Sequence, residues 1–294
     1  MVMAARPINM VKPILPGTTL TIALLLAAQV PSAYGQAPDL ASLMSLVGER
    51  VQQYYDRVTS IVCTETVTQQ ELRSNLSPVS RPRETTYELI MVREKGEDGR
   101  SIDVRVERTL KSVNGRPTRT NARPECTDPR AVSSEPLEFL LPENQAKYRF
   151  SRADVFAGSV TSLALDFESI LPDPVKVTWE GNCFTAEGGG VQGRVWLDAV
   201  SGDVLQLDTR LAKPFDIARP PKVGLGSLTS LRVQRSETTI RFGRVSFQNP
   251  EETLLLPQSM ITTTIFRGAP NLHTTETFQD FRRFLSDVKI RGAA

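Results

Sequence analysis

Three cysteines are the side chains best suited to chemistry in this 294-residue chain: Cys63, Cys126 and Cys183. In an oxidising compartment, three cysteines predict one disulfide and one remaining thiol, and all three pairings are open. Cys126 is the favoured participant, because a cross-link would stabilise the Pro-rich loop 123–129 around it. A catalytic cysteine is the alternative. However, the sequence has no C-x-x-C motif, and a Cys/His pair would have to use His273.

Metal and nucleotide chemistry have little support in the sequence. His273 is the single histidine, whereas zinc sites usually combine several His or Cys ligands. Residues 188–193 match the letters G-x-G-x-x-G, but that motif binds a dinucleotide only where a helix follows, and here a strand pattern follows. G-x-S-x-G and P-loop motifs do not occur in the sequence. We therefore predict no catalytic residue, no metal site and no cofactor.

Acidic pairs and two tryptophans leave one enzymatic alternative, a secreted hydrolase. Trp179 and Trp196 lie on adjacent predicted strands and could provide platforms on which a sugar ring stacks. Glycoside hydrolysis uses two carboxylates that flank the bond to be broken. The sequence has several acidic pairs, but no spacing among them specifies such a site. Solvated carboxylates, and tryptophans that pack in a sheet, are the simpler interpretation.

The N-terminal segment predicts export. Two basic residues precede the apolar run 20–28, which has the length of about ten residues typical of a signal peptide rather than the about 20 of a membrane span. Small residues at positions 33 and 35 place cleavage between Gly35 and Gln36. We expect residues 1–35 to be a signal peptide. Residues 36–294 would then form one exported domain, periplasmic or secreted, without a transmembrane segment.

The charge balance of the exported part argues against one class of partner. The whole chain has 35 Lys and Arg against 33 Asp and Glu. Two of the basic residues and none of the acidic ones lie in the predicted signal peptide, so the exported part has no net charge. Binding to nucleic acid normally needs a basic excess. We therefore predict no nucleic-acid partner.

One helix and many strands must position these side chains. Residues 39–59 carry apolar side chains at three- and four-residue spacing, which is typical of one helix face, and Asp39 is a suitable N-cap. Beyond this helix, β-branched residues and apolar alternation predict strands. The predicted strands cover 61–67, 85–92, 101–108, 148–152, 160–167, 175–186, 193–198, 204–211, 258–267 and 272–281.

The connections between these elements indicate an antiparallel sheet. Asn114-Gly115 and residues 200–203 are typical of hairpin turns. The apolar alternation slips by one residue at Gly243, where we expect a bulge or bend. We predict an α+β fold in which an N-terminal amphipathic helix packs on a large curved antiparallel β-sheet, a half-barrel. Loops are predicted at 72–84, 115–135 and 212–227, and a short helix over 135–146.

The hairpin 193–207 resembles a known family. Its residues are similar to the hairpin G-x-[VA]-W-[LIV]-D-x-x-[ST]-G-x-[VL]-L of periplasmic proteins with the LolA/LppX/RseB-type fold. An export signal, one N-terminal helix, a long antiparallel meander and the late segment 254–257 agree with that layout. The chain also resembles a group of uncharacterised exported bacterial proteins with a cysteine early in the first strand, here within 62–65.

This resemblance implies a curved sheet whose inner side, capped by helices, encloses an apolar groove suited to acyl chains. The side chains that would line this groove belong to the helix and to one face of the strands. They are Leu43, Val47, Val51, Tyr54, Ile102, Val104, Val106, Leu205 and Leu207. The same side chains would form an ordinary core if they filled the space, and the sequence leaves both arrangements open.

The resemblance and the lack of catalytic motifs favour a non-enzymatic periplasmic protein that binds or carries a lipid, lipoprotein or other amphiphile. The alternative is a cell-envelope interaction or sensor module of the RseB-like type. In that case the loop 212–227 would contact an envelope protein partner. A hydrolase that uses carboxylates is the third interpretation.

Overall fold

The computed structural model describes most of the chain after the predicted signal peptide. The described residues are 39–58, 61–95, 102–118, 125–130, 132–134, 136–153, 162–180, 183–218 and 231–283. Within these ranges, residues 92–95, 102–105 and 132–134 are described by their backbone alone. The predicted signal peptide, residues 1–35, lies outside the described residues, so its assignment stays a prediction.

The first element is helix α1 (Leu40–Val58), where apolar periodicity predicts a helix. Asp39 caps it, because its carboxylate accepts hydrogen bonds from the backbone N–H of Ser42 at 2.9 Å and from the Ser42 hydroxyl at 2.8 Å. These hydrogen bonds hold the pKa of Asp39 below its ordinary value. The buried face of the helix consists of Leu43, Met44, Val47, Gly48, Val51, Tyr55 and Val58.

Fifteen strands account for most of the remaining described residues. They are β1 (Ile61–Leu72), β2 (Arg83–Lys95), β3 (Ile102–Val113), β4 (Arg116–Pro117), β5 (Val132–Ser134), β6 (Tyr148–Arg152), β7 (Ser162–Ser169), β8 (Lys176–Glu180), β9 (Cys183–Glu187), β10 (Val191–Asp198), β11 (Val204–Leu211), β12 (Phe215–Ile217), β13 (Leu231–Gln248), β14 (Glu251–Arg267) and β15 (Asn271–Arg283). A 3-10 helix (Glu138–Leu140) and the short helix α2 (Pro142–Gln145) lie between β5 and β6.

Thirteen of these strands form one antiparallel sheet. Its order is β4-β3-β2-β1-β15-β14-β13-β11-β10-β7-β6, while β5 pairs with β3 and β12 pairs with β13. The first strand, β1, therefore lies beside the last described strand, β15, in the interior of the sheet. Within the described chain, the end strands β4 and β6 do not pair with each other. The sheet stays open, and the predicted α+β class with a curved antiparallel sheet is confirmed.

The core lies between α1 and one face of the sheet, which is called the inner face below. A single cluster of buried apolar side chains joins α1 to strands from both halves of the sheet. The strand register places five inward-facing residues side by side across the inner face. In order across the sheet, this row is Val67, Glu276, Met260, Ile240 and Leu207.

The segment 137–145 covers part of the inner face next to α1. The side-chain amide of Gln145 donates to the carbonyl oxygens of Met44 and Leu140, at 3.0 and 2.8 Å, and so connects this segment to the helix. Phe139 packs against Phe167 of β7 with ring centroids 4.4 Å apart. The segment is thus held from two sides and forms a second covering layer beside α1.

Gly193 makes room for this aromatic contact. A Cβ at position 193 would collide with the carbonyl oxygen of Asp208 and would lie 3.0 Å from the ring of Phe167. Glycine therefore lets the Phe167 ring lie across strand β10. The first glycine of the hairpin motif noted in the sequence is explained by this close packing.

Gly243 has a comparable role beside a bulge. The register of β13 with β14 shifts between Arg241 and Phe242, because Gln258 is an extra residue on β14. A Cβ on Gly243 would lie 2.6 Å from Cγ of Gln258. The slip in the alternation is thus real, but the extra residue lies on the partner strand.

Two segments differ from the sequence-based expectation. Residues 175–186, predicted as one strand, contain the two strands of the separate hairpin β8–β9, in which Glu180 pairs with Cys183. The predicted loop 212–227 contains the short strand β12, which pairs with β13, and its part from residue 219 on lies outside the described residues. Short strands that pair only locally carry too little periodicity to be recognised in the sequence.

A disulfide joins Cys126 to Cys183, with 4.9 Å between the two Cα atoms. This is one of the three pairings that the sequence leaves open, and it ties the loop around residue 126 to strand β9. The two cysteines are 57 residues apart. Closing a loop of that length stabilises a fold by about 4 kcal/mol in the chain-entropy description.

Thiol labelling tests this pairing. Native protein at pH 8 should gain no iodoacetamide label, because Cys63 is only 1% exposed and burial raises the pKa of its thiol to about 12. Urea without reductant should allow one label, on Cys63, and reduction should allow three. Mass spectrometry of the intact protein and of its peptides counts and places the labels. Three labels in urea without reductant would contradict the disulfide.

Candidate functional site

An apolar cavity of about 290 Å³ lies between α1 and the inner face. Its size is close to the lower end of the roughly 300–1,000 Å³ typical of small-molecule sites. The apolar part of its wall comes from strands on both sides of the β1–β15 pair. The lining residues are Tyr54, Leu89, Met91, Val106, Arg108, Pro129, Arg130, Pro136, Ile240, Phe242, Pro257, Met260, Glu276 and Phe278.

A second cavity of about 430 Å³ adjoins the first along the sheet. The two share Pro136, Ile240 and Met260 in their walls. The second cavity lies beside the 137–145 segment and also has Phe139 and Leu207 in its wall. Together they form a mostly apolar path along the inner face, from the charged residues beside β1 to the aromatic cluster around Phe139.

Six of the nine side chains predicted to line a groove lie either in a cavity wall or in the core. Tyr54 and Val106 line the 290 Å³ cavity, and Leu207 lines the adjoining one. Leu43, Val47 and Val51 are buried in the core beneath α1, where Val51 also borders a small cavity of about 30 Å³. These six predicted groove residues are therefore divided between cavity wall and filled core.

The remaining three groove predictions are Leu205, Ile102 and Val104. Leu205 is half-buried at the register shift between β10 and β11, where Val204 takes the buried position instead. The side chains of Ile102 and Val104 lie outside the described part of the structure, although their backbone belongs to β3.

A buried ion pair lies at one end of the 290 Å³ cavity. Glu65 of β1 is fully buried, and its two carboxylate oxygens accept hydrogen bonds from Nε and Nη2 of Arg108 at 2.6 and 3.1 Å. Arg108 comes from β3 and lines the cavity. A paired arginine fork of this kind satisfies both charges without water. Sequence reasoning missed the pair, although both residues fall in the inward-facing phase of their strands.

Glu276 of β15 is the second buried carboxyl group of this cluster. It is 6% exposed, lines the cavity and has no hydrogen-bond partner at Oε2. Burial raises its pKa to about 8, and the charge of Glu65 and a hydrogen bond with Glu65 act in the same direction. At neutral pH, Glu276 is therefore mainly protonated and neutral beside the ionised Glu65–Arg108 pair.

Cys63, the free thiol, lies in an environment that disfavours its reactive form. It is buried among the core side chains of β1, and burial raises its pKa to about 12, with the negative charge of Glu65 acting in the same direction. The thiolate, the reactive form of cysteine, is therefore scarce at neutral pH. Cys63 acts as a small apolar side chain of the core.

The outer face of the sheet carries a network of hydrogen bonds among arginine, aspartate and tryptophan side chains. The guanidinium of Arg194 donates to both carboxylate oxygens of Asp166, at 2.7 and 3.0 Å. The indole N–H of Trp196 donates to Asp208 at 2.9 Å. Trp179 lies on β8 in the separate two-stranded sheet, where its indole N–H donates to a backbone carbonyl. The two tryptophans thus belong to different sheets.

The described residues contain neither a cluster of metal ligands nor a helix that could span a membrane. Among the described residues, no group of three or more His, Cys, Asp or Glu side chains is placed to hold a metal ion. His273 instead shares a hydrogen bond with the hydroxyl of Thr263 at 2.9 Å. In the same part of the chain, no helix is long and apolar enough to cross a membrane.

No family model and no curated protein sequence matches the chain. Among solved structures, the chain is similar to a LolA superfamily protein from Nitrosomonas europaea, with 8% sequence identity and a TM-score of 0.38. The alignment covers 83% of this chain and 95% of that one. An identity and a TM-score this low do not bear on the ligand or the role of the chain.

Two substitutions in the buried cluster should have opposite outcomes. Glu65→Gln removes the carboxylate that accepts both hydrogen bonds of the Arg108 fork and should lower the free energy of unfolding by about 3–5 kcal/mol. Glu276→Gln replaces a neutral acid by a neutral amide that can still donate to Glu65. It has no proton to release on unfolding, so at pH 6 it should raise the free energy of unfolding, by up to about 2 kcal/mol. Urea denaturation measures both. Equal losses would contradict the assignment of the two charge states.

Stability should also depend on pH through Glu276. Its pKa is raised to about 8 in the folded protein from 4.5, so between these values the folded state keeps a proton that the unfolded state releases. The free energy of unfolding should therefore fall as pH rises through this window, by up to about 1.4 kcal/mol per pH unit. Urea denaturation at pH 5, 6.5 and 8 measures this slope in the wild type. The slope should be absent in Glu276→Gln. Parallel curves for the two proteins would contradict the prediction.

Proposed function

We propose that this protein is a non-enzymatic, exported binding protein that holds the apolar chain of an amphiphile between α1 and the inner face of the sheet. The observation that carries the proposal is the 290 Å³ cavity, whose wall is apolar except at the end formed by Arg108, Arg130 and Glu276. A wall of this kind excludes water from a chain while it leaves one place for a polar head. The ligand class is a lipid, the acyl part of a lipoprotein, or a similar amphiphile.

The arrangement of charges favours binding over catalysis. The Glu65–Arg108 pair is closed on itself, Cys63 is held as a thiol, and the hydrogen-bonded acids of the outer face lie on the other side of the sheet from the cavity. Binding requires only the apolar wall and a polar end. A periplasmic location agrees with the predicted signal peptide and with the disulfide, because disulfides persist in oxidising compartments.

Native mass spectrometry of the exported protein, purified from a periplasmic extract, tests the proposal directly. We expect a mass excess over the polypeptide that is released on activation as an acyl-bearing species. An apo mass, together with no binding of a fluorescent acyl probe, would overturn the proposal. An apo mass with saturable probe binding would support the cavity as a site that lost its ligand during purification.

A matched pair of substitutions on β14 locates the probe. Met260 faces inward and belongs to the walls of both cavities, so Met260→Trp should fill the shared space and weaken binding of the acyl probe at least tenfold. The next residue, Ile261, pairs with Thr275 and Thr239 on the outer face. Ile261→Trp introduces the same side chain on the opposite face and should leave binding unchanged. Fluorescence titration compares the two, and equal losses would place the probe elsewhere.

A further inference from the structure

The polar end of the cavity is not symmetric in charge. Two carboxyl groups, Glu65 and Glu276, meet one guanidinium, Arg108, and the fork of that guanidinium already holds Glu65. The remaining terminal nitrogen of Arg108 donates to the carbonyl oxygen of Arg130 at 3.3 Å. Among the carboxyl oxygens of this cluster, Oε2 of Glu276 is buried without a hydrogen-bond partner, so the site has a spare acceptor.

The charged and titratable groups around Glu276 come from several elements. Strand β1 contributes Glu65, and strand β3 contributes Arg108, whose charge partly opposes the effect of Glu65 on Glu276. On β2, Tyr87 lies near Glu65 and is itself buried. The neighbour on β14 is the uncharged Met260. At the cavity wall, α1 contributes Tyr54.

Arg130 is the competing cation of the cavity wall. It is 45% exposed at its side chain and pairs with Glu187 at 3.0 Å. Its charge is therefore shared with a carboxylate and screened by solvent. A cationic head group of a ligand is less favoured near Arg130 than beside Glu276. The groups at the buried end of the cavity therefore determine which head group binds best.

We propose that the cavity selects amphiphiles whose head is a protonated primary amine, received by the carboxylate of Glu276. This inference rests on the proposed function, because the apolar chain must occupy the cavity for the head to reach its end. An ammonium head carries hydrogen-bond donors and one positive charge, which would balance the second carboxyl group of the cluster. A carboxylate head would instead add a third acidic group to a site with one committed guanidinium.

Binding of such a head is coupled to loss of one proton. In the free protein, Glu276 holds a proton at neutral pH, since its pKa is raised to about 8. When the ammonium enters, the carboxyl proton leaves to solvent, and a carboxylate–ammonium pair replaces the neutral acid. Affinity for the amine should therefore rise with pH, by about tenfold from pH 6 to pH 7. An uncharged alcohol displaces no proton and should show no such slope.

Isothermal titration calorimetry of the exported protein tests the head-group preference and its coupling to proton release. The three ligands each have eight carbons: octylamine, 1-octanol and octanoate. We expect octylamine to bind tightest at pH 7.5, with affinity that rises with pH. At pH 6.5, well below the Glu276 pKa of about 8, titrations in two buffers of different ionisation enthalpy should show about one proton released per octylamine bound. In Glu276→Gln, proton release should disappear, and the ratio of octylamine to octanol affinity should fall at least tenfold. The exposed Glu84→Gln on β2 is the matched control and should keep both properties.

The outcomes separate the two proposals. Octanol and octylamine that bind equally and without a pH slope would overturn the head-group inference and leave the cavity function standing. A preference for octanoate would also overturn the inference and would indicate that the carboxylate head binds Arg130. If none of the three ligands binds, the proposed function fails together with the inference.

Discussion

The pairing of β1 with β15 is the constraint on which the rest of this structure depends. It joins two antiparallel meanders, one formed by the strands that follow β1 and one by the strands that precede β15. The same pairing places Glu65 and Glu276 on adjacent strands with both side chains turned inward. The continuous inner face, the core beneath α1 and the polar end of the cavity all result from this one junction.

The buried charges are costly, and the structure reduces that cost in two ways. Glu65 is paired with the Arg108 fork, and Glu276 keeps its proton, so only one carboxylate is ionised beside one guanidinium at neutral pH. Apolar residues at these positions would give a simpler core. Arg108 and Glu276 of this cluster line the apolar cavity, so the proposed binding role would give these costly groups a use that a purely structural role does not.

Local periodicity was enough to predict α1 with its cap at Asp39, most strands and the antiparallel class. It could not predict the hairpin β8–β9, because short strands carry little periodicity, or the cavity, because a lined wall and a filled core share one apolar pattern. The charged cluster was hidden for another reason. Glu65, Arg108 and Glu276 are far apart in the chain, and only the register of β1 with its neighbours brings them together.

The junction of the first and last strands also sets the order in which the fold can form. Register partners such as Leu72 and Asn271 are separated by about two hundred residues, so their pairing closes a very long loop. Folds dominated by such non-local pairings form slowly. Until β15 has been synthesised, the edge of β1 that pairs with it stays unpaired. The chain therefore completes its core only after nearly all of its described length is present.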